Sequence, residues 1–70
     1  MDTKELKVAM LRKDKSVEQL CAAIGISRSA WFRKVGGFSQ FTQHEIMGLR
    51  NELDLDDAQT ISIFFNDKVS

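Results

Sequence analysis

Residues Ser16 to Gly36 read Ser-Val-Glu-Gln-Leu-Cys-Ala-Ala-Ile-Gly-Ile-Ser-Arg-Ser-Ala-Trp-Phe-Arg-Lys-Val-Gly, and the fold follows from how this stretch divides. Ser16 followed three residues later by Gln19 is a capping box, in which each side chain takes an amide that the helix start leaves unpaired, so a helix opens at Val17. Leu20, Cys21 and Ile24 share one face of it, and Gly25 supplies the left-handed residue that ends a helix without a Cβ clash. Ile26 brings an apolar side chain into the turn. Ser27 is the next N-cap, and in the helix it opens Trp31 and Val35 fall four apart on the inner side. Gly36 and Gly37 close that helix.

This is the sequence form of a helix-turn-helix, residues 16–36, in which the second helix is the one offered to a DNA major groove. The spacing has steric reasons. Cys21, four before Gly25, is small because the helices cross there, and Trp31, six after it, is apolar because it fills the angle between them. The stretch resembles the helix-turn-helix of the phage Cro and repressor (Xre-type) family, especially phage-associated members with a Gly-Ile-Ser-Arg-Ser turn followed by an aromatic pair and Arg-Lys. It departs from that family at Cys21, where alanine is usual, and at Val17, where a phosphate-contacting glutamine is often found. The resemblance implies a lambda-repressor-like domain, base reading through the positions of Arg28, Ser29 and Arg33, and phosphate contact through Lys15, Ser16 and Ser27.

The residues point the same way independently. From Ser27, the outward side of the helix near its N-terminus carries Arg28, Ser29, Phe32 and Arg33. Arg28 places a cation in a first turn, where the macrodipole disfavours it, which makes sense where the partner is an anion or a guanine edge. Phe32 suits a thymine methyl or simply covers the helix edge, and Lys34 is a phosphate candidate.

A chain of 70 residues with 43% apolar residues and no proline makes one small all-helical domain, 1–70, with little excess stability. Its lone cysteine and lone histidine build neither a disulfide nor a zinc site, so no metal or cofactor is expected. With no apolar run near about 18 residues and no signal-peptide pattern, a cytoplasmic protein without membrane attachment is expected. Formal net charge is zero, but it is unevenly placed: residues 1–37 carry +4 and residues 38–70 carry −4. The half with the helix-turn-helix is then free to face phosphate while the acidic half points away.

Around the central stretch, Thr3 caps a first helix to about Lys13, with Leu6, Ala9 and Met10 inward and Val8 and Leu11 off that stripe, as a second core face or, second to that, as partner contacts. In the loop Phe38-Ser39-Gln40-Phe41, Phe41 is the anchor, because Thr42 and Glu45 form another capping box with Phe41 and Ile46 stapled across it. A fourth helix, Gln43 to Leu53, carries Gly48 as the mark of a close approach. Asp56 and Gln59 open a fifth, Asp57 to Phe65, with Leu55, Ala58, Ile61, Phe64 and Phe65 as its apolar groups and frayed residues after it. The C-terminal helical part thus spans 42–65. Ile63, Phe64 and Phe65 exceed what so small a core can take, so with Phe38 they are the expected homodimer or partner interface.

Two functions compete. One is a sequence-specific regulator of transcription, a Cro-like repressor binding a double-stranded DNA operator as a homodimer. The other is a protein-interaction module on the same fold, an antirepressor or modulator of a partner repressor, favoured by zero net charge and by Val17, Phe32 and Phe38. Catalysis is not expected, since the nearest thing to a nucleophile and base, Cys21 and His44, has its thiol on a packed face. Asp54, Asp56 and Asp57 lack the rest of a calcium loop.

Overall fold

The chain folds where its caps direct it. The computed structural model describes residues 1–65, and among these are five helices and no strand: α1 (Thr3–Arg12), α2 (Val17–Ile24), α3 (Arg28–Val35), α4 (Gln43–Leu53) and α5 (Asp57–Phe64). All three expected capping boxes are formed. Gln19 N donates to Ser16 Oγ at 3.1 Å and Ser16 N to Gln19 Oε1 at 2.8 Å, and the Thr42/Glu45 and Asp56/Gln59 pairs repeat the exchange. Ser27 caps α3 by accepting from Ala30 N, and Gly25, at φ +74°, ends α2 in the left-handed region. The fifth cap differs from the expectation. Asp2, not Thr3, caps α1 by accepting from Glu5 N, which sets a carboxylate at the positive end of the helix dipole.

Packing then joins the elements. α2 lies against α4 and α3, while α5 covers α1 and α4. Leu6, Leu20, Leu49 and Ile63 are the most deeply buried side chains, one from each of α1, α2, α4 and α5, and Trp31 adds α3 to the same core. Asp2 N donates to Ile63 O at 2.8 Å, fastening the start of the described chain to α5. The close approach expected at Gly48 is real: a Cβ there would stand 2.8 Å from Ile24 Cγ2, so α4 meets α2 with only the Ile24 side chain between the two backbones.

Two apolar expectations are corrected. Val8 and Leu11 are not core; Leu11 is 82% exposed. At 100° per residue Leu11 points well away from Leu6 and Ala9, and no element covers that side of α1. On α5 the inward stripe is Thr60 and Ile63, so Ile63, at 2% exposed, is a core residue and not an interface one. Thr60 can be buried because its hydroxyl donates to Asp56 O at 2.8 Å. The register therefore leaves Ala58, Ile61 and Phe65 outside. No helix among the described residues is long and apolar enough to cross a membrane. The fraying expected after Phe65 lies outside the described residues.

Gly48→Ala tests the α2–α4 contact. Alanine improves helix propensity by about 1 kcal/mol, yet the overlap with Ile24 should outweigh this, giving a net loss of about 1 kcal/mol or more as an overpacked core does. Adding Ile24→Leu removes the offending branch and should recover part of the loss. Thermal melts in which Gly48→Ala is as stable as the parent chain would show that the approach is not tight.

Candidate nucleic-acid interface

The orientation of α3 is set from its inner side. Trp31, 2% exposed, meets Phe41 edge to face at 5.5 Å between centroids, and Phe41 meets Phe64 in the same way at 5.7 Å. Phe41 is thus the loop anchor expected of it, and Phe64 is half-buried behind it. With Trp31 turned inward, the opposite side of α3 is left open. Arg28, Ser29, Phe32 and Arg33 are all exposed, Ser29 and Arg33 opposite Trp31 and Arg28 and Phe32 to one flank of it.

Electrostatics sharpen the picture. No acidic residue lies in the first turn of α3, and neither Arg28 nor Arg33 has an ion pair among the described residues. Three other bases of the N-terminal half are engaged by acids of the C-terminal half. Lys13 pairs with Asp54 at 3.4 Å, Lys15 with Glu52 at 3.3 Å and Lys34 with Glu45 at 2.9 Å. Arg50 pairs with Asp57 nearby in sequence. The two halves are therefore not electrically separate, as the charge count alone suggested; the acidic half folds back on part of the basic one.

Lys34 is the clearest consequence. Its side chain is 13% exposed, its ammonium donates to Glu45 and to Gln40 O at 3.1 Å, and it lies over the Phe41 ring at 5.7 Å. A phosphate would have to displace all three partners, so Lys34 is a brace between α3 and α4 rather than a surface cation. Burial pushes the Glu45 carboxyl up, but the Thr42 amide and the Lys34 ammonium together outweigh it and hold its pKa below the ordinary value. Lys15 differs: its pair with Glu52 is partly exposed, the kind of contact worth little and easily exchanged.

The serine hydroxyls are both in use. Ser16 and Ser27 Oγ accept the Gln19 and Ala30 amides as N-caps, so a phosphate there would meet their O–H groups and the two earlier amides of each first turn. Cys21 sits beneath this turn, 5% exposed, its thiol donating weakly to Ser27 O at 3.8 Å. Burial pushes the thiol pKa up against the opposing charge of Arg28, so the group is protonated at neutral pH and out of reach. No group of three or more His, Cys, Asp or Glu among the described residues is placed to hold a metal ion.

The expected apolar surface is present with altered membership. Phe38 is 83% exposed and Phe65 58%, while Ile61 at 59% and Met47 at 50% join them where the buried Ile63 and the half-buried Phe64, packed against the core, drop out. Met47, Ile61 and Phe65 line one groove between α4 and α5, floored by Phe41 and Ile46. No family model matches the chain, and no curated protein or solved structure matches it.

The brace predicts a pH effect with a definite sign. Because the Glu45 carboxyl is more acidic folded than unfolded, its stabilisation is complete above the unfolded value, near 4.5, and is lost as pH falls through the folded one. Glu45→Gln should flatten that part of the stability profile while keeping the cap. Lys34→Met should cost about 1–3 kcal/mol at neutral pH by leaving a shielded carboxylate unpaired. Denaturant melts from pH 3 to 7 that superimpose for the parent and Glu45→Gln would refute the assignment.

Proposed function

We propose that this domain is a sequence-specific double-stranded DNA-binding regulator of transcription, of the Cro-like repressor kind, that reads the major groove with α3. One observation carries the reading: Trp31 is buried while Arg28 and Arg33, in the first and second turns of the same short helix, are exposed and free of ion pairs among the described residues. An exposed pair of guanidiniums without acidic partners among the described residues, on a helix that follows a tight turn, suits a groove lined by phosphate and guanine. Arg28, Ser29, Phe32 and Arg33 are the base-reading group. Ser16, Ser27 and the exchangeable Lys15 contact phosphate. Lys34 acts indirectly, by holding α3 in place.

A homodimer fits this function, since such domains address two half-sites about 34 Å apart. The groove of Met47, Ile61 and Phe65 is the surface offered for it. The same exposed apolar side chains, with Phe38, favour a second reading in which the partner is another protein, a repressor that the domain modulates.

Binding to generic duplex DNA should fall steeply with salt, with a slope near 0.9 per phosphate contact. Arg28→Ala should lose about 1–3 kcal/mol on a selected site and relax preference at one base pair, whereas Lys15→Ala should weaken all sequences alike and reduce the slope by about one. Absence of duplex binding at low salt, together with capture of a purified repressor, would replace the first reading by the second. For assembly, sedimentation of the parent should show a dimer at micromolar concentration and Ile61→Asp a monomer; a monomeric parent at high micromolar concentration would exclude the dimer.

A further inference from the structure

Phe32 is unexplained by the packing. It is 53% exposed, it does not pack on the core, and Trp31 beside it already supplies the aromatic group that fixes α3. Its one ring contact among the described residues is with the arginine four residues earlier: the Arg28 guanidinium lies over the Phe32 ring at 5.8 Å from the centroid. The two side chains therefore stand together on the outward face, an apolar disc beside a planar fork of donors.

We infer that Arg28 and Phe32 act as one reader of a 5-methylpyrimidine next to a guanine. The inference rests on the DNA reading proposed above and gives it a sequence. Arginine donates two parallel bonds to guanine O6 and N7, and the C5 methyl is the apolar feature that a pyrimidine shows in the major groove. The ring centroid is 5.8 Å from the guanidinium, within two base steps of about 3.4 Å, so a ring beside a fork on guanine is within reach of the adjoining pair. The ring also restrains the guanidinium before binding, which lowers the cost of ordering a long side chain. Thymine and 5-methylcytosine carry the same methyl at the same position. The site is therefore sensitive to cytosine methylation wherever cytosine replaces that thymine.

The test uses the full chain and a duplex selected from a random pool, in four versions that place thymine, uracil, cytosine or 5-methylcytosine beside the guanine. Uracil in place of thymine should weaken binding about fourfold, the worth of burying one methyl-sized group. 5-Methylcytosine should bind more tightly than cytosine by a similar factor. Phe32→Ala, at a half-exposed position, should bind the thymine and uracil duplexes equally. Equal binding of those two by the parent chain, an undiminished ratio in Phe32→Ala, or a selected site with no 5-methylpyrimidine beside guanine would each overturn the inference while leaving DNA recognition standing. Failure to bind any duplex at low salt would overturn the DNA reading itself. The parent's four-duplex comparison needs no variant to fold.

Discussion

The outward face of α3 exists because its inner face is held at two points, and the tighter is the pair between Lys34 and Glu45. The ammonium is 2.9 Å from the carboxylate, both side chains are nearly covered, and the aromatic row of Trp31, Phe41 and Phe64 lies alongside. Glu45 also closes the capping box of α4 through Thr42 N at 2.9 Å. One carboxylate thus ends one helix start and fastens another helix to it. An eight-residue helix has little stability of its own, so it is such tertiary contacts that decide where Arg28 and Arg33 point.

The remainder of the fold is arranged to keep that frame rigid at small size. Each helix start is closed by a side chain, and Gly48 lets α4 approach α2 until only the Ile24 methyl separates them. A larger residue would push α4 outward and, through Glu45, move the support of α3. Close packing transmits such shifts rather than absorbing them.

Charge is distributed by the same logic. Acids of the C-terminal half engage Lys13, Lys15 and Lys34, and among the described residues Arg28 and Arg33 of α3, like Lys4, Lys7 and Arg12 of α1, are left without an ion pair. A molecule of zero net charge can in this way keep a locally positive surface on α3. The long-range field is correspondingly modest.

Helix number, the Gly25 turn, all three capping boxes, the burial of Trp31 and the anchoring role of Phe41 were legible in the residues, because each rests on a local rule that spans four residues or fewer or on one strong apolar signal. The exposed group Arg28, Ser29, Phe32 and Arg33 followed from them, and the Arg28–Phe32 contact is itself a spacing of four. Three matters were not legible. Lys34 reads as a surface cation until Glu45, eleven residues on, is folded against it. Leu11 reads as core until no element proves to cover it, and Ile63 reads as surplus until the register of α5 turns it and Thr60 inward. Local sequence determines which segments become helices and where they stop, since hydrogen bonds and caps act between near neighbours. Which side of each helix is buried, and which charge meets which, is decided only when distant segments compete for the same small core.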